Sequence, residues 1–295
     1  MEQSRKSTYF TSGSEKNKFT YIIAALAFII LAVAIYFLFI FQKGEKKIKP
    51  EEFAGEVKNV SELEVAKRPY VTLTPTGDGA EIIISVENMS FFDKIEYELT
   101  YQADNPQVAG EKIERGATGT DVNTKDEKYK KSMLLGTASR GTRSPDTGVT
   151  DGVLTMHMTK GDIEYLSESK WDLFEAGATV RSIADRDGDF QVENLSLGKN
   201  YWIIIADTIG FPPNSPYDLT SALLPTKGVF SIAPEFSKSA KLTINVKDDL
   251  KDPKLYAFRE DIKWQERKID YDSAKKAITA SINFFAAFVV TSQVQ

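Results

Sequence analysis

An all-β protein, with two β-sandwich domains behind one N-terminal transmembrane helix, is the fold class this sequence predicts. Three observations predict it. From residue 70 onward, short runs alternate apolar and polar residues, as in "KIEYELTYQA" (94–103), and Gly, Asp and Pro separate them. The stretch "FTYIIAALAFIILAVAIYFLFIF" (19–41) has no charge, Gly or Pro, which suits a hydrocarbon core. The three prolines of "GFPPNSPYD" (210–218) interrupt the strands, because proline cannot donate to a ladder.

Taken in order, residues 1–18 are polar and rich in Ser, Thr and Lys, and read as a cytoplasmic tail without structure of its own. At ~1.5 Å per residue, 19–41 covers about 34 Å, enough to span a bilayer with some tilt. Tyr21 and Tyr36 suit its interfacial belts. A buried core helix would show a polar stripe, and a cleaved signal peptide would have a shorter apolar region ending in small residues. Neither pattern is present. Arg5, Lys6, Lys16 and Lys18 on one side are matched by Lys43, Lys46, Lys47 and Lys49 on the other, so the positive-inside rule does not choose an orientation. A short tail before a single span is the arrangement of an uncleaved signal anchor. It puts the N-terminus in the cytoplasm and the C-terminal domains outside the cell membrane.

Residues 42–66 are charged and weakly patterned, and read as a stalk with a short helix across Val60–Ala66. One β-sandwich is expected over 67–212 and a second over 217–295. In the first, "TGDG" turns "YVTLTP" back onto "AEIIISVEN". "GVLTMHMT" alternates, and the continuous apolar run of "NYWIIIAD" reads as a strand covered on both faces. Segment 103–147, rich in Gly, Thr, Asp, Lys and Ser, reads as long mobile loops around one or two strands, "ERGATGT" and "YKKSMLLG". In the second, "GVFSIAP", "KLTINVK", "KLYAFRE", "IKWQERK", "AITASIN" and "AAFVVTS" supply the strands.

Composition excludes several function classes. The net charge is −5 and no basic block is interleaved with aromatics, so no nucleic-acid partner is expected. Without cysteine there is no disulfide, thiolate metal site or cysteine nucleophile. There is no P-loop and no G-x-S-x-G, and the lone His157 in "MHM" reads as a strand packing residue. The one candidate cation site is Asp185, Asp187 and Asp189 in "ADRDGDF", since closely spaced carboxylates on a turn suit calcium. The EF-hand spacing fails: Gly188 comes fourth and Ser196 stands at the twelfth position. A hairpin turn centred on Asp187–Gly188 is the simpler reading. Among the tryptophans, Trp202 and Trp264 read as core, and Trp171 in "SKWDLFE" is the candidate ligand contact.

The C-terminal stretch carries Pro234, Phe236, Leu242 to Val246, Leu255 and Tyr256, Trp264, Ile278 to Ile282, Phe285 and Phe288. In this order it resembles the ZU5-like β modules of bacterial surface proteins, and departs from them at Ala286 and Ala287. Residues 85–213, through "YELTYQA", "LLGTASRG", "DRDGDF" and "YWIIIADTIGFPP", resemble uncharacterised single-span envelope proteins of uncultured bacteria. Both resemblances imply sandwich folds and placement in the cell envelope, and neither implies an activity.

The expected function is that of a single-pass envelope protein whose sandwiches bind or scaffold without catalysis. Membrane lipid would be the partner of 19–41, and a protein or glycan outside the membrane the partner of loops around 103–147. No cofactor is expected apart from the candidate calcium. The alternatives are an anchored hydrolase using two carboxylates, or a structural subunit of an envelope assembly.

Overall fold

The computed structural model describes residues 55–223 and 225–293. The tail, the apolar stretch 19–41 and the first part of the stalk lie outside the described residues, among which no helix is long and apolar enough to cross a membrane. The described chain is all-β.

Strands β1 (Glu56–Asn59), β2 (Tyr70–Pro75), β3 (Glu81–Glu87), β4 (Lys94–Asp104), β5 (Lys112–Gly119), β6 (Lys128–Leu134), β7 (Gly136–Ser139) and β8 (Thr142–Pro145) come first. The long β9 (Thr150–Lys160) and β10 (Ile163–Ala176) follow, then β11 (Ser182–Ala184), β12 (Phe190–Glu193) and β13 (Tyr201–Thr208). Beyond the prolines lie β14 (Thr226–Phe230), β15 (Ala240–Asn245), β16 (Lys254–Arg259), β17 (Lys263–Arg267), β18 (Ile269–Asp272), β19 (Ala277–Ile282) and β20 (Ala287–Thr291).

One ten-stranded sheet runs β17-β16-β20-β14-β13-β10-β9-β4-β5, with β1 added parallel to β10. The sheet β2-β3-β6 packs on one face of it and β11-β12-β15-β19-β18 on the other, displaced along the strand order. The result is two sandwiches back to back on a shared sheet. Strand β13 belongs to both: Ile204 and Ala206 enter the first core, Ile203 and Ile205 the second. This is why "YWIIIAD" is apolar at consecutive positions instead of alternating.

Core membership does not follow chain order. The second core takes Ala176, Ile183, Phe190, Val192, Leu195 and Leu197 from before the prolines and Leu242, Leu255, Ile278 and Phe288 from after them. The two cores therefore interleave along the chain and do not divide at residues 210–218. That segment instead covers the β16-β17 region. The Tyr217 ring lies 4.8 Å from Tyr256 and 5.3 Å from Trp264, and Trp264 Nε1 donates to the Pro213 carbonyl at 2.8 Å. Gly210 opens the segment at φ +67°, where a Cβ would stand 2.3 Å from the Pro69 carbonyl oxygen, so only glycine fits.

Two further expectations change. The end of the stalk is part of the first sandwich: β1 joins the sheet, two 3₁₀ turns replace the expected helix, and Val60 and Leu63 are buried. Asn59 and Glu62 cap the first turn reciprocally, and Arg68 donates to the Leu63 and Ser61 carbonyls. Segment 103–147 is mostly strand, with β5, β6 and the β7-β8 hairpin. The hairpin turns at Arg140–Gly141, both at positive φ, as a two-residue loop matched to strand twist requires.

Candidate functional site

The "ADRDGDF" segment is the loop between β11 and β12. The Asp185 carbonyl accepts from Gly188 N–H at 3.1 Å, and Asp185 N–H donates to the Phe190 carbonyl at 3.0 Å. The central pair of the turn is therefore Arg186–Asp187, one residue earlier than the sequence suggests. Gly188, at φ +74°, takes the left-handed position after it.

Its charged side chains point in different directions. Asp185 is buried; its Oδ1 accepts from Phe190 N–H at 3.0 Å, and its Oδ2 lies 2.6 Å from Lys227 Nζ. Asp187 turns to Lys170, at 3.0 Å, and that ammonium holds its carboxyl below the usual range. Asp189 is half-buried at a cavity wall. The three aspartates do not converge, and among the described residues no three acids or histidines gather as a cation would need. Between Asp185 and Asp207 the positive charge is Lys227 itself, 2.8 Å from Asp207 Oδ1. Burial alone would lower the Lys227 pKa; the two carboxylates outweigh it and hold the ammonium above its ordinary value.

Arg186 fastens the turn to the shared sheet. Its Nε donates to Asp172 Oδ1 at 2.9 Å, its backbone N–H to Asp172 Oδ2 at 3.0 Å, and its Nη2 to the carbonyls of Gly152 and Trp171 at 2.9 and 2.5 Å. Beside this clamp the two sheets of the second sandwich part around a cavity of about 330 Å³. Phe190, Ile244, Phe288 and Val290 line its apolar part, and Lys170, Asp187, Asp189, Lys247 and Asp248 its charged part.

Trp171, the expected ligand contact, is fully buried. Its ring centroid is 6.1 Å from that of Tyr101, and it covers Gly152, where a Cβ would lie 2.1 Å from the indole. It is a core residue with no surface to offer a ligand. Trp202 and Trp264 are half-buried. His157 lies on the face opposite Met156 and Met158, with Nδ1 2.9 Å from Glu164 Oε1.

The open half of the ten-stranded sheet adjoins this site. By register, Glu96, His157 and Leu166 form one cross-strand row and Glu98, Thr155 and Glu168 the next, all half-buried or exposed. The alternative hydrolase needs two facing acids, one with a raised pKa. Asp78, Glu81, Asp93, Asp104, Asp121, Asp187, Asp218, Glu260, Asp261 and Asp272 are all shifted downward, by hydrogen bonds and neighbouring cations.

Sequence reasoning found the turn and missed Arg186, Asp207 and Lys227. An arginine at the centre of a hairpin turn was the available hint; the pairing of Lys227 with Asp185 has no local signal. No family model matches the chain, and neither a curated protein nor a solved structure does.

Proposed function

We propose that this chain is a membrane-anchored envelope protein that presents its sandwiches outside the membrane. There they bind or scaffold a protein or glycan partner without catalysis. The observation that carries the reading is the open sheet face of β4, β9 and the first half of β10. It carries Glu96, Glu98, Thr155, His157, Glu164 and Glu168 around Leu166, is not buried by a second sheet, and borders a pocket lined by Glu98, Thr100 and Arg115 where β4 meets β5. A face of acceptors and hydroxyls suits a partner offering basic side chains or sugar hydroxyls. The uncharged stretch 19–41 supplies the anchor, and the acidic, cysteine-free composition is consistent with a non-catalytic ectodomain.

The test is protease treatment of intact cells expressing the full chain with a C-terminal tag. Removal of the tag from outside is expected. A tag protected until the membrane is opened would overturn the placement, and with it the partner class.

A further inference from the structure

We propose that Lys227 and Asp185 join through a side-chain amide, an intramolecular cross-link that ties together the two sheets of the second sandwich. Lys227 lies on β14 of the ten-stranded sheet, and Asp185 immediately follows β11 of the five-stranded sheet. Nζ stands 2.6 Å from Asp185 Oδ2, with side chains 17% and 5% exposed. Among the ion pairs of the described residues, only this one and Lys227–Asp207 have both partners below a fifth exposed. The other pairs lie nearer to water, where lysine and aspartate simply exchange solvent.

Two further observations point to chemistry here. Asp185 Oδ2 and Asp207 Oδ1 are both buried, and each is within contact of the same nitrogen. Two carboxylates and one ammonium are thus held together away from water, where their desolvation is costly. Asp207 is also the direct cross-strand neighbour of Lys227, so a second carboxylate is fixed beside the nitrogen. Holding amine and carboxyl in contact in the folded state replaces the high concentrations that such a condensation needs in water. The chain has no cysteine, so this tie would be independent of redox conditions.

The step balances without a cofactor. The Lys227 ammonium passes one proton to Asp207, and the freed amine adds to Cγ of Asp185, forming the C–N bond. Asp207 delivers that proton, and then a second from the nitrogen, to one Asp185 oxygen. That oxygen leaves as water when its C–O bond breaks. The nitrogen keeps one hydrogen as the amide, and Asp207 ends as a carboxylate. The carboxylates that hold the ammonium charged are thus also the bases that receive its protons.

The experiment is mass spectrometry of the full chain, intact under denaturing conditions and after trypsin digestion. The expected intact mass is one water below that dictated by the sequence. The expected digest contains the peptide 182–186 joined to a peptide uncut at Lys227. Lys227→Arg keeps the charge but cannot form the amide, and Asp207→Asn removes the relay; both are expected at full mass. A wild-type chain at full mass with cleavage after Lys227 would overturn the proposal. So would a lost water that maps to an Asp–Gly step such as Asp187–Gly188. A link to Asp207, which lies within the uncut peptide itself, would overturn the assignment to Asp185.

Discussion

Replacing Arg186 with alanine should loosen the five-stranded sheet from the shared sheet. The guanidinium satisfies Asp172 and two strand carbonyls while only 23% exposed, and Asp172 is 15% exposed. Hydrogen bonds to a charged group contribute roughly 1.5–3 kcal/mol each, and breaking a buried pair costs roughly 3–5 kcal/mol because the partner charge is stranded. Partial exposure lets water replace part of this, as does the retained backbone bond from Arg186 N–H to Asp172. The net expectation is about 2–3 kcal/mol. For a body of this size, 1 kcal/mol moves Tm by about 2–4 °C, so a fall of several degrees is expected. Urea unfolding of the full chain in detergent, followed by tryptophan fluorescence, measures it. Trp171, buried with its carbonyl accepting from Arg186, contributes to that signal together with Trp202 and Trp264. Amide exchange at Phe190, whose N–H bonds Asp185, should speed up with the loss. Arg186→Lys keeps a charge without the fork and should recover only part of the stability. A midpoint within about 0.5 kcal/mol of the parent, the range of inert surface changes, would refute the clamp.

Tyr217→Ala should release the covering segment 210–218, because the ring packs against Phe211, Tyr256 and Trp264. A cost of about 3–4 kcal/mol and new protease cleavage between Pro212 and Ser221 are expected, and an unchanged digest would contradict it. Stability should also fall in acid. Glu81 is held low by Ser132 and Arg143, and Asp121 by Lys131 and Tyr129. A carboxyl whose folded pKa lies below its unfolded value stabilises the fold above the unfolded value, near 4. That contribution is lost as pH falls through the folded one. A urea midpoint that declines below about pH 4 is expected; a flat profile from pH 5 to 2 would show these pairs to be energetically silent.

Local pattern revealed what local physics decides. The period-2 runs became strands, the aspartate-rich segment became a turn, and the apolar run at 201–206 was read as covered on both faces. Trp171 escaped because the inward positions of β10 before it are Tyr165, Ser167 and Ser169, all buried. Two serines on the core face disguise the alternation. Ser169 Oγ donates to the Asp207 carbonyl, so its hydroxyl is satisfied inside. The end of the stalk escaped because charged composition hid a capping box, Asn59 to Glu62, that was available to be seen. Strands β5 and β6 were legible in "ERGATGT" and "YKKSMLLG", whereas the β7-β8 hairpin escaped, because "GTASRGTRSP" is short, exposed and rich in Gly, Thr and Ser, which read as loop. The Lys227 cluster depended on Lys227 and Asp185, 42 residues apart in sequence, meeting from two different sheets, and no local pattern encodes that.

The shared sheet has an energetic consequence that two tandem domains would lack. In β13 the side chain at 204 is packed by the first sandwich and those at 203 and 205 by the second. Opening either sandwich therefore leaves β13 with one apolar face in water and its ladder to β10 or β14 unsupported. β10 carries the same double duty, with Trp171 in one core and Ala176 in the other. Each exposed isoleucine face costs about 1.5–3 kcal/mol per side chain, comparable to the whole effect of a typical destabilising mutation. Damage to one sandwich is thus felt by the other through these two strands, and the cooperative unit is the pair.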